Sequence, residues 1–146
     1  MKFKKYPQRD PIKNYFPLPN EIFCLGLSSG GISVYSYLLY CEDRKTFQCY
    51  PSYKTIGSAL KISKNTVRKY VAGLEEKGLI TTEPTKILKS NGMKQNGNLM
   101  YTIRPIEEAN EQYLQRQLRQ AELAMAEATA KRQLEEYERK HRSKAV

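Results

Sequence analysis

The feature that most narrows the fold is a pair of helix starts placed close together, closed by a single glycine. Pro51-Ser52 and Ser63 each set a serine just before a run of helix-compatible residues, and Gly78 ends the second run. A serine at an N-cap accepts a hydrogen bond from a first-turn amide that has no partner inside the helix. For Ser63 that amide is Asn65 or Thr66. A glycine just past the last turn takes up the left-handed conformation cheaply. The pattern predicts one helix over about 53–60, a turn at Lys61-Ile62, and a second helix from Lys64 to about Lys77. Neither is long enough to be stable alone, so each must bury a face. Ile56 and Leu60 supply it on the first; Val67, Val71 and Leu74, at i, i+4 and i+7, supply it on the second. With Ile62 they pin the two helices at a steep angle, and Gly57 is small where they approach closely.

The flanking segments are read from the same signals. Residues 1–15 hold Lys2, Lys4, Lys5, Arg9 and Lys13 with two prolines and no apolar period, which makes a basic arm. Such an arm either follows a DNA groove or is simply mobile. Phe16-Pro17-Leu18-Pro19 is held extended by its prolines, and Pro19 opens a short helix through Phe23. Ser28-Ser29-Gly30-Gly31 breaks the chain. Ile32, Tyr35, Leu38 and Leu39 then predict a helix over about 29–43, and Lys45–Tyr50 a short strand. Leu79–Glu83 alternates weakly and is β-rich, and Pro84 makes it an edge strand or ends it there. Leu99–Ile103 is its returning partner, so 79–104 form a hairpin with a long, basic, polar tip rich in Asn and Gly.

From Glu107 to Arg142 there is no Gly or Pro, and good helix formers dominate. Glu127–Lys131, Glu135–Arg139, Glu136–Lys140 and Glu138–Arg142 fall at i, i+4 in the favourable orientation. A helix of this stretch is roughly 54 Å long. Leu114, Leu118, Ala121, Met125 and Ala128 form a stripe that breaks at Arg132, and a second stripe through Leu123, Ala130, Leu134 and Tyr137 lies on another face. Contact with a second copy as a coiled coil, a solvated single helix, and docking of another protein all remain open.

Charge then limits the function. Lys and Arg total 25 against 15 Asp and Glu, a formal charge of +10. Residues 1–106 hold 17 against 7, while 107–146 hold 8 of each. A basic body with a neutral tail suits a polyanionic partner. No apolar run approaches the roughly 20 residues that span a bilayer, and no secretory signal follows the basic start; the expected location is the cytoplasm. Three cysteines, Cys24, Cys41 and Cys49, lack metal-ligand spacing and read as small core residues. His141, the only histidine, lies among charges in the last helical turn and reads as solvated. No cofactor or metal site is expected. The body has too few acids for a converging catalytic group, and Ser28–Gly31 lacks the ending of a phosphate-binding loop, so an enzyme is not expected.

The face of helix 64–77 opposite its apolar stripe carries Lys64, Asn65, Arg68 and Lys69. Arginine can fork to guanine and asparagine can pair with adenine in a major groove. The order helix, strand, short helix, turn, helix, hairpin is the layout of a winged helix-turn-helix, an α+β, mainly α class, here followed by a long C-terminal helix. The run Pro51-Ser52-Tyr53-Lys54-Thr55-Ile56-Gly57 through Ser63-Lys64-Asn65-Thr66-Val67 to Leu74-Glu75-Glu76-Lys77-Gly78-Leu79-Ile80 resembles the core of bacterial winged helix-turn-helix proteins. It is similar to the GntR-type DNA-binding domain. With Phe16-Pro17-Leu18-Pro19 and the Tyr/Leu-rich first helix it resembles more closely a group from phages, plasmids and mobile elements that includes replication initiators and small regulators. The resemblance covers about 16–106. It implies double-stranded DNA binding, with Lys64, Asn65, Arg68 and Lys69 reading bases. Ser52, Tyr53 and Lys54 would meet a phosphate at a helix N-terminus, Ser63 and Thr66 the DNA backbone, and Lys89 and Lys94 of the wing phosphates or a minor groove. Lys61 stands where such turns often have glycine, and a non-glycine residue with positive φ is uncommon but allowed. These residues are not expected to hold an effector-binding domain of the kind that long GntR-type regulators carry.

The resulting expectation is three segments: an arm (1–15), a DNA-binding domain (16–106) and a charged helix (107–146). The expected role is sequence-specific duplex binding that regulates transcription on a mobile element. The alternatives are an origin-binding replication initiator, and a non-specific DNA-binding assembly protein that recruits partners, or a second copy, through 107–142.

Overall fold

The computed structural model describes Gln8, Asp10 and residues 13–142. Most of the expected basic arm, including Lys2, Lys4, Lys5 and Arg9, lies outside the described residues.

A 3-10 turn over Asn20–Cys24 follows Pro19 and buries Ile22. Helix α1 spans Ser29–Cys41, two residues shorter at its C-terminal end than the expected reach. The glycines read as a break lie inside its first turn, because Ser28 caps it by accepting from the Gly31 amide at 3.2 Å. Gly30 has a packing reason: a Cβ there would stand 2.1 Å from the Tyr70 ring. Strand β1 is only Gln48–Cys49, shorter than the 45–50 expected. Residues 43–47 instead form a tight turn, with the Phe47 amide bonded to the Asp43 carbonyl and Phe47 at φ 59°.

Helices α2 (Tyr53–Leu60) and α3 (Lys64–Glu76) start on their serine caps. The Ser52 hydroxyl accepts from the Thr55 amide at 3.0 Å and that of Ser63 from Thr66 at 3.2 Å. Lys61 ends α2 in the left-handed region, φ 61° and ψ 40°, and the Ile62 amide closes back on the Gly57 carbonyl. The lysine therefore does a glycine's work at this turn. Gly57 is indeed where the elements approach: an added Cβ would lie 2.6 Å from the Ile62 carbonyl oxygen. Past α3, Gly78 has φ 76°, its amide bonds to Glu75 and that of Leu79 bonds to Leu74, the paired arrangement that satisfies a helix's last carbonyls.

Strand β2 (Ile80–Glu83) pairs antiparallel with the later strand over Met100–Ile103, Ile80 opposite Ile103 and Glu83 opposite Met100. The polar tip between them, expected as loop, holds two more strands, β3 (Lys86–Leu88) and β4 (Lys94–Asn96), paired with each other in a separate ribbon. Met100–Ile103 is thus β5, the centre of a three-stranded sheet ordered β1-β5-β2. Helix α4 runs from Ile106 to Arg142.

One core joins these parts. Ile22, Leu25, Val34, Tyr35, Leu38, Ile56, Val67, Val71, Leu74, Leu79, Ile80 and Tyr101 are buried. Ile56 and the α3 stripe are where the apolar spacing puts them, but Leu60 and Ile62 are only half-buried at the edge of the core. Cys49 is buried and Cys41 partly so, whereas Cys24 is exposed and not a core residue as expected. Helix α4 begins against the body: Ala109 is buried, and Ile106 and Tyr113 pack on the core. Arg116 of α4 ties this junction to the end of α3, and Lys77 beside it ties the end of α3 to the 3-10 turn. Lys77 Nζ donates to the Leu25 carbonyl at 3.0 Å, and Arg116 donates to the Glu76 carbonyl at 2.8 Å. From Leu114 on, every described α4 residue is exposed.

Candidate nucleic-acid interface

Burying Val67, Val71 and Leu74 turns the opposite face of α3 outward, and Lys64, Asn65, Arg68 and Lys69 are all exposed on it. Among the described residues no ion pair holds any of the four. Arg68 has a neighbour across the motif: its guanidinium carbon lies 5.7 Å from the centre of the Tyr53 ring at the start of α2. Tyr53 is half-buried and packs on the core, so it acts as a platform that aims Arg68.

The two caps share one geometry. In each, the serine hydroxyl also bonds the threonine hydroxyl three residues on, Ser52 with Thr55 at 2.9 Å and Ser63 with Thr66 at 2.8 Å. Each pair thus builds a helix start and still has one hydroxyl hydrogen to donate. Lys54, Lys61, Ser63 and Lys64 line one open groove with Gly57 on its floor. Lys61 was singled out from the sequence only as a turn residue. Its signal was its place between two cap motifs, which brings its side chain to the same groove as Lys54 and Lys64.

The charge on α3 runs against the helix dipole. Backbone amides make a helix N-terminus partly positive and its C-terminus partly negative. Helix α3 nonetheless has no acid in its first turn and Lys64 at its first position, and it ends on Glu75 and Glu76, with one cation, Lys77, as its C-cap. Helix α4 obeys the dipole, with Glu107 and Glu108 in its first turn and Arg139, Lys140 and Arg142 in its last. The arrangement on α3 lowers helix stability and raises positive potential at one end.

The wing carries the other two lysines singled out from the sequence. Lys89 lies at the β3–β4 turn, where its amide bonds to the Met93 carbonyl and Gly92 has φ 80°. Lys94 lies in β4 opposite Leu88, and both lysines are exposed. The base of the wing is tied to the start of α2, since Asn98 Nδ2 donates to the Tyr50 carbonyl at 3.1 Å. Beside the wing lysines, Ile87, Leu88 and Met93 are 57%, 69% and 66% exposed, an apolar tip that sequence reasoning passed over because it read the segment as polar loop.

Residues 25–80 match the family model of a helix-turn-helix domain. The body is a winged helix-turn-helix. Solved structures with a similar course include a possible transcriptional regulator from Methanosarcina mazei, 20% identical, covering 73% of this chain and 83% of that one at a TM-score of 0.49. A protein from Sulfolobus tokodaii is 19% identical, covering 72% and 92%, with a TM-score of 0.46. A MarR-family transcriptional regulator from Silicibacter pomeroyi is 17% identical, covering 75% and 74%, with a TM-score of 0.39. None of the curated proteins matches the chain significantly. In the helix-turn-helix, α2 and α3 are the two motif helices, and β2, β5 and the β3–β4 ribbon are the wing. Among the described residues no helix is long and apolar enough to cross a membrane.

Proposed function

We propose that the winged helix-turn-helix binds double-stranded DNA with α3 in the major groove and regulates transcription by occupying its site, without chemistry. The observation that carries this reading is the charge on α3: Lys64 stands in the first turn, where a cation costs helix stability and no acid offsets it, and Arg68 and Lys69 follow one turn on as exposed cations. A phosphate backbone in front of that end turns the cost into attraction. Lys64, Asn65, Arg68 and Lys69 are the base-reading candidates. Lys54, Lys61 and the wing lysines Lys89 and Lys94 are the phosphate-facing candidates. Ser52, Ser63 and Thr66 contribute by building the helix starts, and Tyr53 by supporting Arg68. The stripe Leu114, Leu118, Ala121, Met125 on exposed α4 supports contact with a second copy, which would present two α3 helices to one site. The mobile-element setting rests on the resemblance of residues 16–106 alone.

Selection of binding sites from a random duplex library at near-physiological salt tests the proposal. An inverted repeat is expected for a regulator dimer. Reiterated direct repeats would favour the initiator reading. Retained DNA with no common motif would indicate a non-specific assembly protein, and no retained duplex would overturn DNA binding.

A further inference from the structure

A groove of about 320 Å³ lies between α1, the turn before β1, the end of β5 and the start of α4. Its walls include Tyr35, Leu39, Phe47, Ile103 and Ile106, and no α3 residue lines it. The volume is at the lower end of that of small-molecule sites, and the mostly apolar lining is typical of them.

Two features of the groove bear on what it can hold. The first is Glu42, which directly follows α1 and lines the groove. Its Oε2 is closed off from solvent and has no hydrogen-bond partner. Neither nearby guanidinium serves it. Arg44 lowers its pKa only by attraction through space, and Arg104, on the groove wall, gives its Nε and Nη2 to Glu108 at 3.1 and 2.9 Å. Burial therefore wins and raises the Glu42 pKa above the ordinary carboxylate range. A carboxylate in this position costs free energy unless a cation or donor arrives. The second feature is Phe47. Its φ of 59° is one that bulky side chains avoid, and its ring is 55% exposed at the groove wall rather than buried. An aromatic face beside a carboxylate is a setting for a cation.

We infer that this groove binds a small organic cation, an ammonium or amidinium group carried on an aromatic or alkyl body. The charged group meets the Glu42 carboxyl, which turns to bring the closed-off Oε2 to it. The body fills the space between Leu39, Ile103 and Ile106, with the Phe47 ring over it. The site is separate from the α3 face, so its occupancy and DNA binding are measured independently.

The test is isothermal titration calorimetry on the full chain at neutral pH, with 2-phenylethylamine as the probe and 3-phenylpropionate as its anionic counterpart. The amine is expected to bind at least tenfold more tightly than the carboxylate, a difference of about 1.4 kcal/mol. Glu42→Gln keeps the size and removes the charge, and it is expected to erase that preference. Phe47→Gly suits the positive φ, so it folds, and it is expected to weaken the amine several-fold by removing the ring. Near-ultraviolet circular dichroism confirms that both variants keep their packed tyrosines. No heat from the amine at millimolar concentration overturns the inference, as does an amine no tighter than the carboxylate, or unchanged preference in Glu42→Gln.

Discussion

Lys64→Glu should make the protein more stable and a worse DNA binder at once. Lys64 is the first residue of α3, directly after the Ser63 cap, and its side chain is exposed. A cation there opposes the helix dipole by about 0.3–1 kcal/mol, and an anion gains a similar amount. The new carboxylate also sits one turn before Arg68, a pairing worth about 0.2–0.5 kcal/mol. After discounting for exposure, the net gain at low salt is about 1 kcal/mol, or roughly 2–8 °C in midpoint for a domain of this size. Urea or thermal unfolding followed by near-ultraviolet circular dichroism reads this, because Tyr35 and Tyr101 are buried in the body while α4 dominates the far-ultraviolet signal. The gain should shrink in 1 M salt, where the Debye length is about 3 Å. On the selected duplex the same variant should lose about tenfold or more in affinity, in line with about 1–3 kcal/mol for a reading contact. A variant that is destabilised, or whose stability gain ignores salt, would refute the dipole argument. One that binds DNA as before would remove the N-terminal end of α3 from the interface.

The remaining predictions use other parts of the molecule. Gly57→Ala should destabilise by about 1 kcal/mol, because overpacking against the Ile62 carbonyl costs about 1–3 kcal/mol and the helix-propensity gain returns about 1. Gly73→Ala, which meets nothing within 4 Å, should stabilise by about 0.5–1 kcal/mol; equal signs in the two denaturation curves would contradict the packing account. Lys89→Ala should lower the slope of log affinity against log salt by about one unit, and an unchanged slope would take the wing turn off the phosphates. Burial pushes the Cys49 thiol and the Tyr35 hydroxyl up to about 12. Both groups ionise sooner in the unfolded chain, so stability should hold below their ordinary values near 9 and 10 and fall as pH rises above them. For the same reason a disulfide reagent at mildly alkaline pH should label exposed Cys24 first and Cys49 only on unfolding, and rapid labelling of Cys49 would contradict its burial.

The parts of the fold that were legible in the sequence are those set by local chemistry. Ser52, Ser63 and Gly78 each satisfy backbone groups within a few residues of themselves, so their roles can be read without knowing what packs where. The Val67, Val71, Leu74 stripe is likewise fixed by helical period. Features that depend on a distant partner were not legible. Gly30 reads as a helix breaker until Tyr70 is seen against it. Strands β3 and β4 are three residues each and wholly exposed, and only their pairing with each other makes them strands. Leu60 and Ile62 are apolar in sequence, but the turn at Lys61 carries them to the rim of the core. For the interface, type and spacing marked Lys64, Asn65, Arg68 and Lys69. The Tyr53 platform, the convergence of Lys61 on Lys54 and Lys64, and the apolar wing tip arise from tertiary placement. The Glu42 groove joins four segments of chain and has no sequence signature.

The central claim is that the outward face of α3 reads base edges. The direct test is to select sites from a random duplex library with the wild-type chain and with Arg68→Ala in parallel. The account predicts that the variant recovers the same motif with one base position per half-site relaxed, at a cost of about 1–3 kcal/mol on the wild-type site. An identical motif, with every sequence weakened equally, would contradict it and place Arg68 on a phosphate.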